Sequence, residues 1–300
     1  MGASYYMRRK IRSGKVTEVS QFFVGDRRPR KTRVKGSSSA AKKDRNLNDA
    51  VRRLARILNC NLTEDWIFLT LTYSEEALPS SPQEAVKRMQ LFLRRLRSRG
   101  VRFAGVWITA DKDSRTAEIK RLHHHVVISG QGISLTGGKK KTAWAGGQTL
   151  EDIWGSGIVL ATPIEETDDY TQMAVYLVRQ AVSGEDVKKW HTSRDLKQPE
   201  IISEEIIDRP QALRAPGGAD VKEITEYDEQ SCSHYIRYVA QSQRSKSKDK
   251  DLDEYLAKLK KQRSRLTRQQ ILTLRGQALA GDIAGAEKGL ARLTEGNYGK

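Results

Sequence analysis

The sequence predicts an α+β protein: an antiparallel sheet with helices mainly on one face, a basic N-terminal arm and a C-terminal helical hairpin. Short segments rich in aromatic and β-branched residues recur along the chain, as is typical of strands. Capped amphipathic helices separate several of them. Two of the strand-like segments are joined by only about ten residues, which indicates a hairpin. The 300 residues are enough to bury a sizeable core.

The charge balance indicates a polyanionic partner. The chain contains 54 Lys and Arg against 37 Asp and Glu, a formal net charge of +17. No run approaches the roughly 18 apolar residues of a membrane span, and no secretion signal is evident. We therefore expect a cytoplasmic protein without a membrane partner. The two cysteines, Cys60 and Cys232, are far apart, which excludes a disulfide framework and a thiolate zinc site.

Residues 1–45 are predicted to form a flexible basic arm. They contain fourteen Lys or Arg side chains and three acids, a composition that cannot bury enough apolar surface to fold by itself. The alternatives are an arm that follows a phosphate backbone and a solvated tail. The short apolar run 19–24 within it could still pair as a strand. On the first alternative, the candidate phosphate contacts are Arg27, Arg28, Arg30 and Lys31.

Residues 46–215 are predicted to form the main domain. A helical pattern from Asn48 is followed by a buried strand at 66–73. Ser81, Pro82 and Glu84 have the pattern of a helix start with a capping box, and Gly100 ends that helix.

The rest of this domain alternates strands and helices. Strands are predicted at 101–110 and 121–129, a short helix and a further strand within 150–164, and a helix at 169–181. Beyond 183 the pattern becomes less regular.

Two C-terminal segments complete the predicted division. Residues 216–263 are assigned to a charged extension and 264–300 to a helical hairpin whose two helices begin near Thr267 and Asp282. The hairpin could be a helix-turn-helix that reads duplex DNA or an oligomerisation element. Few basic residues align on its exposed side, which favours oligomerisation.

Three consecutive histidines provide the first candidate site. Successive side chains alternate across a strand, so His123 and His125 share one face and His124 lies on the other. Their Cα atoms are then about 7 Å apart, from where both imidazoles can converge on one divalent ion. The alternative is a polar strand end without an ion.

A carboxylate is the expected third ligand if the ion is Mg²⁺ or Mn²⁺, because these cations prefer oxygen donors. Asp111, at the end of the preceding strand, is the best-placed candidate. Asp113 and Glu118 lie in the same connection.

Tyr176 lies on a predicted helix with Arg179 one turn later, on the same side. A tyrosine in apolar surroundings is usually a core residue. A tyrosine can also act as a nucleophile toward phosphorus when a metal ion polarises the phosphate. Arg179 would then hold the phosphate or favour the phenolate.

Three motifs in order resemble those of HUH endonucleases, specifically the rolling-circle replication initiator (Rep) proteins of plasmids and phages. These are FLTLTY at 68–73, RLHHHVVIS at 121–129 and AVYLVRQ at 174–180. The segment KKWHTSRDLKQPE, which contains Arg194, is similar to the segment after the tyrosine helix in bacterial members. Arg194 is therefore a further candidate for DNA binding. The resemblance covers roughly residues 46–200 and implies an HUH/RRM-like fold.

The resemblance implies a metal-dependent endonuclease in which His123 and His125 bind Mg²⁺ or Mn²⁺ and Tyr176 forms a 5′-phosphotyrosine link to single-stranded DNA at an origin. Host polymerase and helicase are implied partners, and the C-terminal helices are candidates for oligomerisation. Two features depart from the family pattern: Arg179 replaces a lysine, and Asp111 stands in for a glutamate. The alternatives are a non-catalytic nucleic-acid-binding protein and a single-tyrosine transposase or relaxase.

Overall fold

The computed structural model describes residues 4–25, 40–63, 65–113, 115–138, 141–182, 188–228, 233–240, 246–279 and 282–295. The chain divides into two compact units, residues 1–240 and residues 241–300.

The elements are numbered along the chain. The strands are β1 Tyr5–Ser13, β2 Val16–Val24, β3 Trp66–Leu71, β4 Gly105–Lys112, β5 Ile119–Ser129, β6 Ser134–Thr136, β7 Thr142–Ala145, β8 Gln148–Thr149, β9 Val159–Pro163, β10 His191–Thr192, β11 Glu200–Ile207, β12 Asp220–Asp228 and β13 Ser233–Val239. The helices are α1 Ala40–Asn61, α2 Pro82–Ser98, α3 Leu150–Trp154, α4 Thr171–Gln180, α5 Lys246–Lys261, α6 Arg268–Leu279 and α7 Ile283–Glu295. Among the described helices, none has both the length and the apolar character needed to cross a membrane.

The sheet that carries the histidines has the order β10-β4-β5-β3-β9, with all neighbours antiparallel. The histidine strand β5 is central and pairs with β3 and β4, whereas β10 is a two-residue edge strand. The predicted α+β class is confirmed, and the two predicted strands at 101–110 and 121–129 do pair as neighbours.

Helices cover both faces of this sheet, so the expectation of helices mainly on one face is wrong. One core contains α2 and α3 residues, such as Phe92 and Trp154, with Leu69 of the sheet. The other contains α1 and α4 residues, such as Leu54 and Leu177. The physical reason is that the central strands are apolar on both sides, and each apolar face requires its own cover.

The N-terminal half of the predicted arm is ordered as strands. A second sheet has the order β11-β1-β2-β13-β12, in which β1 and β2 form a hairpin. Basic side chains of β1 are paired with glutamates far along the chain, and these pairs supply the countercharge that the local sequence lacks. The pairs are Arg8 with Glu205 at 3.3 Å, Arg12 with Glu200 at 2.6 Å, and Arg9 with Glu204.

The start of α2 follows its predicted capping residues. The Ser81 hydroxyl accepts a hydrogen bond from the Glu84 amide at 3.2 Å, and Pro82 occupies the first helical turn. The carboxylate of Glu84 accepts from the amide of Ser80 at 2.8 Å, one residue earlier than a standard capping box would have it. Gly100 follows the helix with φ +79°, a conformation that favours glycine.

The predicted charged extension does not exist as a separate segment. Strands β12 and β13 belong to the second sheet, and α5 packs with α6 and α7 in the C-terminal unit. The described part of that unit is thus a three-helix assembly, not a hairpin. Burial of Leu252, Tyr255 and Leu259 on one face of α5 explains why this charged sequence folds. The predicted capping box is confirmed, because Thr267 and Gln270 bond each other's backbone amides at 2.8 and 3.3 Å.

Candidate functional site

The two outer histidines converge on one face of the central sheet. His123 lies opposite Ala110 of β4, and His125 lies between Ile108 of β4 and Thr70 of β3. Their rings are nearly perpendicular, and the two Nε2 atoms are 3.2 Å apart. The strand therefore brings two imidazole nitrogens to a common point, as the sequence predicted.

Hydrogen bonds on the opposite ring nitrogens orient both imidazoles. His123 Nδ1 donates to the carbonyl oxygen of Arg121 at 2.9 Å, which leaves Nε2 with the free lone pair. His125 Nδ1 is 3.1 Å from the hydroxyl of Thr70. Such bonds on the far nitrogen are typical of histidines that bind metal through the other one.

Tyr176 lies beside this pair. Helix α4 covers the same face of the sheet, and the Tyr176 ring centroid is 5.3 Å from that of His125 and 6.0 Å from that of Phe68. The tyrosine is 39% exposed, whereas His125 is only 3% exposed. The phenol therefore borders solvent next to the imidazole pair, of which His125 is buried and His123 is partly exposed.

Gln180 is a site residue that the sequence patterns did not single out. It lies one helical turn after Tyr176, is buried, and places Oε1 3.4 Å from His125 Nε2. Its side-chain amide also donates to the carbonyl oxygen of Tyr176 at 3.4 Å. Its position in the sequence could have indicated this role. Gln180 follows Tyr176 by four residues, a spacing that puts both side chains on one side of a helix.

The structure does not bring Asp111 to the histidine pair. Asp111 lies at a register shift between β4 and β5, and its Oδ1 is buried without a hydrogen-bond partner among the described residues. Within the described ranges, no group of three His, Cys, Asp or Glu side chains is placed to hold a metal ion. The physical reason is strand alternation: Ile108 and Ala110 are paired with His125 and His123 and share their face, so the regular alternation of β4 directs Asp111 to the opposite face.

The two other acids of the connection have local partners. Asp113 accepts from Lys120 at 2.6 Å and from the amide of Arg115 at 2.8 Å, which together hold its pKa below its usual range. Glu118 accepts from the hydroxyl of Thr116 at 3.1 Å. Both belong to the turn of the β4–β5 hairpin.

The donors at the pair nevertheless suit a divalent cation. His123 and His125 offer two nitrogens, and Gln180 offers an amide oxygen of the kind that hard cations accept. The 3.2 Å between the two Nε2 atoms is a hydrogen-bonding distance, and a cation bound to both nitrogens would take the place of that hydrogen bond.

The middle histidine has a structural environment. His124 is fully buried on the opposite face, with Nε2 2.6 Å from the hydroxyl of Tyr73 and Nδ1 3.3 Å from that of Thr109. Burial, with smaller effects from the neighbouring histidines, lowers the pKa of His124 to about 3. It is therefore a neutral core residue that links β5 to β4 and to the chain after β3.

Two cations lie near the tyrosine. Arg179 is exposed one turn after Tyr176, and its side chain forms no ion pair with any described residue. Lys120 has a pKa raised mainly by its hydrogen bond with Asp113, with smaller contributions from Glu118 and Tyr176. Lys120 was not among the predicted site residues.

A polar network anchors the start of α4. Asp169 accepts from the Thr171 amide at 3.0 Å and is paired with Arg237 of β13. Asn59 of α1 accepts from the amide of Tyr170 at 2.7 Å. The helix that carries Tyr176 is thus tied to α1 and to the second sheet.

The predicted DNA contacts are only partly described. Arg27, Arg28, Arg30 and Lys31 lie outside the described residues. Arg194 is exposed just after β10, which borders β4 at the sheet edge.

Comparison with protein-family models, curated proteins and solved structures gives no significant match for this chain. The chemistry assigned to this site therefore depends on its own residues.

Proposed function

We propose that this protein nicks and rejoins single-stranded DNA through a covalent link to Tyr176. The observation that carries the proposal is the position of Tyr176 beside the histidine pair. The centroid of its phenol ring is 5.3 Å from that of His125, and His125 Nε2 is 3.2 Å from His123 Nε2. A nucleophile and a cation-binding group are thus side by side at the surface.

A divalent cation, Mg²⁺ or Mn²⁺, would be held by His123, His125 and Gln180. When bound, it would polarise the non-bridging oxygens of the target phosphate and stabilise charge in the transition state. Thr70 and the Arg121 carbonyl would keep the two imidazoles in the orientation that presents Nε2. Gln180 replaces Asp111 as the proposed third ligand.

In the proposed step, Tyr176 Oη attacks the phosphorus and loses its proton to the surrounding water. The bond from phosphorus to the 3′ oxygen breaks, and that oxygen takes a proton to leave as a 3′-hydroxyl. Tyr176 keeps the 5′-phosphate. Because one phosphodiester replaces another, attack by a 3′-hydroxyl reverses the reaction without a further energy source. Exposed Arg179 is available to contact the phosphate.

The biological role proposed is initiation of rolling-circle replication in the cytoplasm, where the free 3′-hydroxyl primes a host polymerase and a helicase separates the strands. The support is the order and spacing of the three motifs, which also suggests the HUH/RRM-like fold and a plasmid or phage origin. The strand carrying the histidines and the helix carrying the tyrosine adjoin, as that proposal requires.

The test uses labelled single-stranded DNA from the genetic neighbourhood of the protein, with and without Mn²⁺. We expect a protein–DNA species that survives denaturation and is lost in Tyr176→Phe, because phenylalanine lacks the attacking oxygen. Tyr170→Phe is the matched control, since Tyr170 lies at the start of the same helix but is buried. An adduct formed by Tyr176→Phe would exclude this nucleophile.

Two other outcomes would favour the alternative functions. Strong binding without any adduct would favour a non-catalytic binding protein. Joining to a second DNA without an origin would favour a transposase or relaxase.

A further inference from the structure

A cleft lies on the sheet face opposite Tyr176. It has a volume of about 860 Å³ and is bounded by α2, by the loop that follows it and by the segment from β10 to residue 195. Its floor includes Trp107, which is paired in register with Val126 and therefore faces the α2 core. Tyr176 packs against His125 on the other face. The proposed strand-transfer chemistry does not use this cleft.

Aromatic rings form one wall of the cleft. The Trp107 indole and the His191 imidazole are stacked, with centroids 3.9 Å apart and planes inclined by 8°. Trp107 is only 4% exposed and lies on the inner strand, whereas His191 is half-buried on the edge strand. Burial, with a smaller effect from Lys188, lowers the pKa of His191, so the ring is neutral near pH 7. A neutral stacked pair that opens on a cleft offers a flat surface for another planar ring.

The rim of the cleft is cationic. Arg97, Arg102 and Arg194 line it together with a single acid, Asp195. Arg102 is paired with Asp195 at 2.8 Å. The side chains of Arg97 and Arg194 are exposed and form no ion pair with any described residue. Two free guanidinium groups therefore flank an aromatic wall, which is the combination that single-stranded nucleic acid requires.

We propose that this cleft binds a segment of single-stranded DNA, with one base stacked on His191 and the flanking phosphates on Arg97 and Arg194. Base stacking distinguishes this ligand from duplex DNA, whose bases are already stacked on each other. The inference goes beyond the proposed function, because it requires binding and no cleavage.

The edge of strand β4 connects the two faces. After α4 the chain pairs with β4 at Ala110 and Thr109, and His191 pairs with Trp107 of the same strand. The two attachment points are three residues apart along β4, or about 10 Å. The cleft wall and the end of the helix that carries Tyr176 are thus attached to the same strand.

The experiment measures binding of full-length protein to a fluorescein-labelled oligothymidylate of about 12 nucleotides by anisotropy, in EDTA so that no cation-dependent cleavage contributes. For the double variant Arg97→Gln with Arg194→Gln, we expect the slope of log affinity against log salt to become less steep by about 1.4, because two phosphate contacts are lost. The matched control is Lys87→Gln with Arg94→Gln, two exposed cations of α2 outside the cleft. The control should keep the wild-type slope.

The stacking contact is tested separately. His191→Ala should weaken binding roughly 5- to 100-fold, and His191→Phe should restore it because the flat ring returns. The wild type should bind an oligonucleotide with abasic sites more weakly than the intact oligonucleotide. His191→Ala should bind the two oligonucleotides equally, because its stacking contact is already lost. Equal salt slopes in the two double variants, unchanged binding by His191→Ala, or equal competition by a duplex would each overturn the proposal. Adduct formation by Tyr176 is measured independently, so either proposal can fail alone.

Discussion

Gln180 follows Tyr176 by one turn of α4 and donates its side-chain amide to the Tyr176 carbonyl oxygen at 3.4 Å. The same side chain directs its oxygen at His125 Nε2. The proposed nucleophile and the proposed third ligand are therefore fixed to one rigid helix. A displacement of α4 would move both together, which couples cation binding to the position of the phenol.

The first prediction concerns the third ligand. Gln180→Ala should weaken Mn²⁺ binding about 10-fold or more, because it removes the only oxygen donor seen within 3.4 Å of His125 Nε2 among the described residues. Gln180→Glu should bind Mn²⁺ at least as tightly as the wild type, since it replaces the amide oxygen with a carboxylate. Isothermal titration calorimetry measures both affinities. Asp111→Asn is the control, and we expect it to bind like the wild type. A large loss in Asp111→Asn with none in Gln180→Ala would restore Asp111 as the ligand.

The second prediction concerns the orientation of His125. Thr70→Val keeps the side-chain shape but removes the hydroxyl 3.1 Å from Nδ1, so the ring loses the bond that aims Nε2. We expect Mn²⁺ affinity to fall about 10- to 100-fold, as for other partners of metal-bound histidines. Thr72→Val is the control, because Thr72 donates to the carbonyl of Ile158 instead. Equal affinities for the two variants would show that Thr70 has no positioning role.

The third prediction concerns the anchor of α4. Arg237 and Asp169 are each 10% exposed, so Arg237→Ala would leave a buried carboxylate without its cation. We expect the free energy of unfolding to fall by about 3 to 5 kcal/mol. Urea unfolding followed by tryptophan fluorescence measures this, because all five tryptophans lie within residues 1–240.

Arg12→Ala is the matched control for that experiment. Its pair with Glu200 is 57% and 60% exposed, so its loss should cost no more than about 1 kcal/mol. A loss for Arg237→Ala as small as that for Arg12→Ala would mean that the network does not hold the helix.

The fourth prediction concerns pH. The pKa of His124 is about 3 in the folded protein and near its ordinary value of 6.5 when unfolded, so the unfolded state binds the proton first. The contribution of neutral His124 to the free energy of unfolding is fully present above pH 6.5. It declines by about 1.4 kcal/mol per pH unit as the pH falls toward 3. Burial also lowers the pKa of His125, to about 4, which adds a loss of the same sign.

Urea unfolding in EDTA at pH 7, 6 and 5 checks this dependence. The double variant His124→Leu with Tyr73→Phe removes both the buried imidazole and its hydroxyl partner. It should show a pH slope smaller than that of the wild type by about 1.4 kcal/mol per unit below pH 6. An unchanged slope would contradict the neutral, buried state of His124.

Local patterns were sufficient for much of the fold. The capping residues of α2 and α6, the strand at β3 and the pairing of β4 with β5 depend on neighbours in the sequence, and all were predicted. The hairpin of β1 and β2 was not, since the glutamates that pair with its arginines lie almost 200 residues away. Helix α5 was not predicted because its sequence is highly charged and has few apolar residues. Its apolar face is buried only by packing against α6 and α7.

The sequence by itself determined that His123 and His125 share one side of a strand, because alternation is a local property of extended backbone. It also determined that Tyr176 and Gln180 share one side of a helix, because 3.6 residues make a turn. Only the tertiary structure decided that these two sides face each other, that Asp111 is turned away, and that Trp107 and His191 meet beside free arginines. Those relationships join residues distant in the chain, and they depend on how the sheet pairs and which helix covers each of its faces.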